Sequence, residues 1–148
     1  NKCVAKGLSV IQGDADKDLS LYPEKSFEYV ILSQTIQATL EPKKILSELT
    51  RIGEKVIVSI PNFGFWKVRL DLLFKGKMPI TRKLNSTWFD TDNIHLCTIL
   101  DFLELCDQLN LTVKQTVTIT SKKQKKFTGK PSIKENIFAE EAIFLIQD

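Results

Sequence analysis

The sequence S-F-E-Y-V-I-L-S-Q-T-I-Q-A-T, residues 26–39, decides the fold of this chain. Its middle, Tyr29 to Leu32, is an uninterrupted apolar run that predicts a central strand buried on both faces. The run gives way to a polar cluster that begins with Ser33 and Gln34, where such a strand would leave the sheet. Because ligands bind beyond the carboxyl ends of the strands in an open parallel sheet, this polar edge is the first candidate for a site.

A helix and a second buried strand follow this stretch directly. Pro42 suits the first position of a helix, and Gly53 suits its end. Between them, four apolar residues fall on one helical face: Ile45, Leu46, Leu49 and Ile52. Residues 55–60 then form another apolar run, with Pro61 and Asn62 at its carboxyl end. The order strand, helix, strand predicts a right-handed parallel unit in an α/β domain.

The segment before the opening strand supplies a second pair of candidate residues. Residues 1–7 resemble the last turn of a helix that ends at Gly7, and residues 8–12 predict a short strand. Gly13, Asp14, Ala15 and Asp16 come next. The two acids suit either a carboxylate at the edge of the sheet or the cap of a short helix, and the local pattern favours neither.

Two further helices and two late strands complete the pattern. Residues 65–74 predict an amphipathic helix that ends near Gly76, and Thr98 with Asp101 predicts a capping box at the start of another helix. Alternation over residues 111–120 predicts a strand with four residues on one face: Val113, Gln115, Val117 and Ile119. Residues 141–147 predict a final strand. Two strands joined without a helix would form an antiparallel hairpin at the edge of a mostly parallel sheet.

Residues 77–93 show no sustained period but contain aromatic side chains, which would need something to cover. A long aperiodic connection in a compact domain is more often functional than idle. Together with the preceding helix, it supplies four residues for a lid or a partner surface: Trp66, Met78, Trp88 and Phe89. Ordinary packing of a loop is the alternative interpretation.

The sequence contains no recognisable catalytic motif. His95 and Cys97 lie two residues apart, which supplies neither the three or four ligands of a metal site nor a base placed opposite a thiol. Glycine-rich phosphate loops and nucleophile elbows are absent from the sequence. We therefore predict no metal, assign no catalytic residue, and interpret the three cysteines as reduced, packed thiols.

Charge and hydropathy exclude several classes of partner. The net charge is +3, but five lysines between residues 122 and 130 account for the excess, and acidic side chains outnumber basic ones elsewhere. No aromatic ladder alternates with these lysines, so we expect a solvated loop rather than a nucleic-acid surface. Because no apolar run is long enough to span a bilayer, we expect a cytoplasmic protein without a membrane partner.

Several segments in order resemble the methionine biosynthesis protein MetW family between Val10 and about Cys106. The distinctive segments are V-I-Q-G-D-A-D, the opening stretch, I-V-S-I-P-N-F-G-F-W-K-V-R-L, G-K-M-P-I-T and W-F-D-T-D-N-I-H-L-C-T-I-L-D-F-L-E-L-C. This family is similar to class I S-adenosylmethionine-dependent methyltransferases. The resemblance implies a Rossmann-like sheet with a C-terminal antiparallel hairpin, and it identifies the opening stretch as the fourth strand.

The resemblance also predicts which residues would contact S-adenosylmethionine. Asp14 and Ala15 would meet the adenine, while Ser33 and Gln34 would line the cleft near the methionine end. The glycine-rich first strand and the acid after the second strand have no counterpart here, so residues 1–148 are expected to form one N-terminally incomplete domain that binds the cofactor weakly or not at all. Loss of those strands would leave the fourth strand with an exposed edge.

Two functions follow from the resemblance. The first is a role in methionine synthesis as a partner or activator of homoserine O-acyltransferase, with S-adenosylmethionine as the molecule it would sense; the second is a methyltransferase that acts on an unidentified small substrate. Family members commonly carry His at Phe65 and Pro at Asn85 and Asp92. Phe65 removes a proton-transfer group beside the cleft, which favours the partner role.

Overall fold

The computed structural model describes residues 4–7, 9, 10, 12–121 and 123–148. Its strands are β1 (Phe27–Ser33), β2 (Gly53–Pro61), β3 (Thr112–Ile119), β4 (Gln124–Thr128) and β5 (Glu141–Gln147). Its helices are α1 (Ala15–Asp18), α2 (Pro42–Ile52), α3 (Trp66–Lys75), α4 (Ile99–Gln108) and α5 (Ile133–Phe138). Short 3-10 turns lie at Val4–Lys6, Leu19–Leu21 and Ile36–Ala38.

The five strands form one mixed sheet in the order β1-β2-β5-β3-β4. Among the described residues, only β1 and β2 pair in parallel, whereas the other three pairings are antiparallel. The expectation of a mostly parallel sheet is therefore wrong. β3 and β5 do pair antiparallel, but β5 lies inside the sheet between β2 and β3, and they are joined through β4 and α5 rather than as an edge hairpin.

β1 lies at one edge of the sheet, because β2 is its only partner among the described residues. Leu32 faces the core, but the alternate side chains Phe27, Tyr29 and Ile31 are 41%, 50% and 67% exposed. The prediction of a central strand buried on both faces is thus wrong, whereas the exposed edge agrees with expectation. An apolar run cannot distinguish a covered face from an uncovered one, since both carry the same residues.

The core lies between one face of the sheet and the helices α2 and α4. All four predicted apolar residues of α2 are buried, and Phe102 of α4 stacks on Phe144 of β5 with ring centroids 4.5 Å apart. Gly53 joins α2 to β2 where a Cβ would lie 2.6 Å from Val30 Cγ2. Only glycine permits this close approach of helix end and strand without displacing a neighbour.

The lysine-rich segment is a strand rather than the expected loop. Residues 124–128 form β4, which pairs antiparallel with β3 at the second edge of the sheet. Lys125 and Lys126 lie exposed on it. Charged side chains on an edge strand oppose pairing with other chains, so the lysines have a structural explanation that requires no anionic partner.

Three expectations for the other elements also need correction. The register of β3 against β5 shifts between Val113 and Gln115, so Thr116 and Thr118 are buried and Val117 and Ile119 only half-buried. In α3, the apolar residues remain largely exposed, and Val68 alone is buried. Of the expected strand at residues 8–12, residues 8 and 11 lie outside the described residues, and the other three are not in a strand.

Among the described helices, none combines the length and the apolar character needed to cross a membrane.

The capping box of α4 is confirmed and gives a direct test of local stability. Thr98 Oγ1 accepts a hydrogen bond from the Asp101 N–H at 3.2 Å, and Asp101 Oδ2 accepts one from the Thr98 N–H at 2.8 Å. We expect Thr98→Ala to lower the free energy of unfolding by about 1 kcal/mol in urea denaturation, because a helical N–H loses its partner. Thr98→Ser retains the hydroxyl and should recover most of the loss; equal losses in both variants would contradict this role.

Glu135 in α5 makes stability depend on pH. Hydrogen bonds from Lys125, at 2.8 Å, and from Ser132 hold the pKa of this carboxyl at about 2, below its ordinary value of 4.5. The unfolded chain therefore takes up a proton at higher pH than the folded chain, so the stabilisation is present above about pH 4.5 and is lost as the pH falls toward 2.

We expect Glu135→Gln to flatten the fall in unfolding free energy between pH 4.5 and pH 2, measured by urea denaturation at a series of pH values. Glu104→Gln, at an exposed position of α4, serves as the control and should retain the slope of the unaltered chain. An unchanged slope in Glu135→Gln would show that Lys125 does not stabilise the folded carboxylate.

Candidate functional site

Gln34 occupies the carboxyl edge of β1 in an unusual backbone conformation. Its φ of +49° lies in the left-handed region, which residues other than glycine adopt at a cost. Its N–H donates to both the carbonyl and the hydroxyl of Ser59 at 3.0 Å, and its Nε2 donates to Glu141 Oε1 at 2.6 Å. These contacts hold the side chain across the end of β2, toward β5.

Glu141 links this edge to the aperiodic segment. Its carboxyl group is buried, and the second oxygen, Oε2, pairs with Lys83 Nζ. The residue before each of these also forms an ion pair, because Arg82 pairs with Glu140 at 3.2 Å. Two adjacent basic residues are thereby fastened to two adjacent acids at the start of β5. This double ion pair holds the middle of the aperiodic segment against the edge of the sheet.

A polar cleft of about 340 Å³ opens between this edge and the aperiodic segment. Its lining includes Gln34, Thr35 and Gln37 on the sheet side, and Lys83 and Asp92 on the other. Lys83 and Asp92 are the ionisable groups of the described lining. Lys83 already pairs with Glu141, and Asp92 is the carboxylate of this lining.

The predicted cofactor residues do not all reach this cleft. Gln34 lines it, whereas Ser33, Asp14 and Ala15 do not. Asp14 caps α1 by accepting the Asp16 N–H at 3.0 Å, and its ion pair with Lys17 at 2.8 Å lowers the pKa of its carboxyl. The capping interpretation is therefore correct for Asp14. Its carboxyl group remains exposed and ionised, so it can still accept a hydrogen bond from a ligand.

Ala15 and Asp16 lie beside the entry to α2. Ala15 is half-buried against the core, and the Asp16 carboxylate accepts the N–H groups of Leu40 at 3.2 Å and Glu41 at 3.3 Å. These bonds tie α1 to the segment that follows the Ile36–Ala38 turn. The polar groups after residue 13 and after β1 thus lie at the same end of the domain. No hydrogen bond of the described residues joins Asp14 or Ala15 to Ser33 or Gln34.

Three of the four predicted surface residues come together. Met78, Trp88 and Phe89 line a shallow cavity of about 580 Å³, with the two aromatic rings edge to face at 5.6 Å. Trp66 lies apart and packs edge to face on Phe65, also at 5.6 Å. The aromatic residues of the aperiodic segment therefore form an exposed surface, to which Trp66 does not contribute.

His95 and Cys97 line a different cavity, which shares Gln37 with the cleft. Burial raises the pKa of the Cys97 thiol to about 11, and Asp101 adds to this effect. A thiol of this pKa is protonated near neutral pH and is a poor nucleophile. No cluster of three potential metal ligands occurs in the part of the chain that the structure describes.

Sequence reasoning missed the ion pairs that build the cleft. Arg82 and Lys83 lie in a segment with no period, and Glu140 and Glu141 lie where a strand begins far along the chain. Only the paired order of two basic and two acidic residues could have suggested a contact. Charge order alone is a weak signal, because most surface charges are solvated.

Comparison with known proteins identifies the family. The family model described as methionine biosynthesis protein MetW matches residues 1–146. The chain belongs to the MetW family. A curated relative from Rhodopirellula baltica, the bifunctional methionine biosynthesis protein MetXA/MetW, is 32% identical over 113 residues, which cover 76% of this chain. The matched region spans only 18% of the length of that relative.

Solved structures of similar fold confirm the methyltransferase-like α/β architecture expected for a MetW protein. A SAM-dependent methyltransferase from Thermotoga maritima, described as a possible histamine N-methyltransferase, has a TM-score of 0.58 at 17% identity. The superposition covers 98% of this chain and 67% of that methyltransferase. A SAM-dependent methyltransferase from Archaeoglobus fulgidus has a TM-score of 0.58 at 11% identity, with 99% and 71% covered. At these identities the likeness concerns the fold alone.

Proposed function

We propose that this MetW chain acts in methionine biosynthesis by binding homoserine O-acyltransferase and raising its activity. The observation that carries the proposal is the exposed aromatic patch formed by Met78, Ile80, Trp88 and Phe89. Trp88 is 73% exposed and Phe89 68%, although large aromatic side chains are usually covered. Contiguous exposed apolar surface of this kind marks sites of protein association.

The end of α3 adds exposed apolar side chains close in sequence to the aromatic patch. Leu73 and Phe74 are 73% and 77% exposed, and Lys75 alone separates them from Gly76 and Lys77, which line the cavity of the aromatic patch. Interface cores are enriched in such aromatic residues and in methionine. A partner that covers this surface would bury both the helix end and the patch.

The double ion pair supports a surface that is held ready for a partner. Arg82 and Lys83 lie between the two halves of the patch in sequence, and both are fastened to the start of β5. Leu84 is buried beside them. A segment anchored in this way loses less conformational freedom on binding than a free loop, which favours affinity.

The name of the curated relative joins MetXA and MetW in a single chain. Two activities fused in one polypeptide are held at high effective concentration, so contact between them requires little intrinsic affinity. This relation supports a physical partnership between a MetW domain and the acyltransferase. Where the MetW domain and the acyltransferase are separate chains, the aromatic patch would supply the affinity that a covalent link makes unnecessary.

The proposal is tested by mixing the purified chain with homoserine O-acyltransferase from the same organism. Acyl transfer to homoserine is followed by release of free coenzyme A, with acetyl-CoA and succinyl-CoA supplied as separate donors. We expect a rate that rises and saturates with added chain. A rate that stays constant with both donors, together with no complex on size-exclusion chromatography, would overturn the proposal.

S-adenosylmethionine is the ligand that the fold suggests, and two separate groups of described residues each suit one end of it. The polar wall at Gln34 and Thr35 suits the methionine end, and the exposed carboxylate of Asp14 suits an adenine amino group. These groups do not line a single cavity, so binding to this chain should be weak. In this proposal the ligand is sensed rather than consumed.

We expect calorimetry to show weak or undetectable S-adenosylmethionine binding to the chain, because only Gln34 of the four predicted contact residues lines the cleft. The Thermotoga maritima methyltransferase, measured under the same conditions, serves as a positive control for the assay. Micromolar binding to the chain would show that residues 1–148 complete the cofactor site, contrary to expectation.

The second candidate function is methyl transfer to a small substrate. Asp92 favours it, since a carboxylate in the wall of the polar cleft could accept a proton from a methyl acceptor. This function predicts slow formation of S-adenosylhomocysteine with candidate acceptors, and loss of that activity in Asp92→Asn. Activation of the acyltransferase that persists in Asp92→Asn would separate the partner role from this alternative.

A further inference from the structure

Helix α3 turns an apolar stripe toward solvent. An α-helix turns by about 100° per residue, so four of its apolar residues lie within about 100° of arc on one face. These residues, the α3 stripe, are Trp66, Leu70, Leu73 and Phe74, and all four are exposed. Val68, on the opposite face, is buried. Because a surface helix normally directs its apolar face inward, the reversed order in α3 marks the stripe as a contact surface.

Two basic residues flank the α3 stripe. By the same helical geometry, Lys67 lies at the Phe74 side of the stripe and Arg69 at the Leu73 side. Arg69 Nε donates to the carbonyl of Gly64 at 2.6 Å, which holds the guanidinium near the start of the helix. Lys67 is exposed. The helix therefore presents an apolar centre between two positive edges.

We infer that the α3 stripe docks into an apolar groove of homoserine O-acyltransferase whose rim is acidic. Trp66, Leu70 and Leu73 have the i, i+4, i+7 spacing of the anchors with which an amphipathic helix enters a groove. The positive edges are complementary to carboxylates on the rim of that groove. This inference rests on the proposed function, to which it adds a second contact beside the aromatic patch and the chemistry of the surface that receives it.

Two other occupants fit the α3 stripe less well. A second copy of the chain would bring the same positive edges together, and like charges across an interface oppose association. An anionic bilayer would match the charge, but its mobile headgroups gain little from a guanidinium that the Gly64 carbonyl already holds in place. A folded partner with fixed carboxylates gains more, because bidentate pairing between arginine and a carboxylate depends on geometry.

The apolar part of the contact is tested by replacing Leu70 and Leu73 with alanine in one variant, since alanine favours the helix. Affinity for the acyltransferase from the same organism, measured by biolayer interferometry, should fall about tenfold or more because two anchors leave the groove. The matched control is Leu40→Ala with Leu100→Ala, whose side chains are 72% and 37% exposed, against 73% for Leu73 and 41% for Leu70. The control should bind as tightly as the parent, and both variants should keep the parent's unfolding midpoint.

The charge of the edges is tested separately with Lys67→Glu. This variant should lower the association rate about fivefold at roughly 50 mM salt, and its rate should depend less steeply on salt than that of the parent, because a steering charge is reversed. Lys43→Glu is the control, since Lys43 is exposed at the second position of α2, as Lys67 is at the second position of α3. The control should retain the rate and the salt dependence of the parent.

The outcomes separate this inference from the proposed function. If the parent chain forms no complex with the acyltransferase, both are overturned. If the parent binds and the stripe variant and Lys67→Glu bind equally well, or if the stripe variant and its control lose the same affinity, the inference alone is overturned. Variants that keep the acyltransferase but lose binding to phosphatidylglycerol vesicles, or lose a dimer seen by sedimentation, would overturn it in favour of a membrane or a second copy.

Discussion

Replacement of Asn62 by alanine should lower the free energy of unfolding by about 3–5 kcal/mol. The residue is 1% exposed, and its side chain makes four hydrogen bonds to the backbone. Nδ2 donates to the carbonyls of Asn136 and Ala139, each at 2.8 Å, and Oδ1 accepts the N–H groups of Gly64 at 2.9 Å and Ile99 at 3.3 Å. The alanine variant would leave buried backbone groups from three elements unpaired.

The effect should be measured by urea denaturation followed by circular dichroism. Asn85→Ala is the matched control, because Asn85 is exposed in the cleft wall and its loss should change stability by less than about 0.5 kcal/mol. Similar losses in both variants would show that the Asn62 bonds do not organise the end of β2. The sequence placed Asn62 at a ligand edge, but in the structure it joins β2, α4 and α5.

Replacement of both Trp88 and Phe89 by alanine should weaken binding to homoserine O-acyltransferase by about 30-fold or more. Central aromatic residues commonly contribute 2 kcal/mol or more to an interface, and these two are the largest side chains of the aromatic patch. Because both are exposed in the chain alone, the double variant should retain the unfolding midpoint of the parent. Affinity is measured by biolayer interferometry with the acyltransferase immobilised.

A matched control separates the patch from general surface hydrophobicity. Leu21 and Ile133 are 78% and 67% exposed and lie outside the aromatic patch. The double variant Leu21→Ala, Ile133→Ala should bind the acyltransferase as tightly as the parent. If the Trp88 and Phe89 variant also binds normally, the patch is not the docking surface. An altered affinity of that variant for a ligand of the cleft would then identify the patch as a lid.

The helices and strands around β1 were predictable because their signals are local. Pro42 and Gly53 bound α2, and Thr98 with Asp101 starts α4, at the positions that capping chemistry requires. The carboxyl edge at Gln34 was likewise predicted as one wall of a site, and this residue does line the cleft. The family could also be identified from sequence, because its segments occur in order along most of the chain.

Other features depended on contacts between distant residues. Neither the exposure of β1 nor the burial of Thr116 and Thr118 follows from residue type, since the first depends on which elements cover a face and the second on a shifted register. The strand β4 was missed because its lysines resemble a solvated loop. Pairing with β3 satisfies its backbone, and the charges then suit an edge.

The sequence by itself determined the α/β class, the order of the main helices and strands, and membership of the MetW family. Tertiary structure alone decided the mixed sheet, the double ion pair that fastens Arg82 and Lys83 to β5, and the two cavities that share Gln37. The physical reason is range. Capping and periodicity act within a few residues, whereas burial and ion pairing depend on which distant segments the fold brings together.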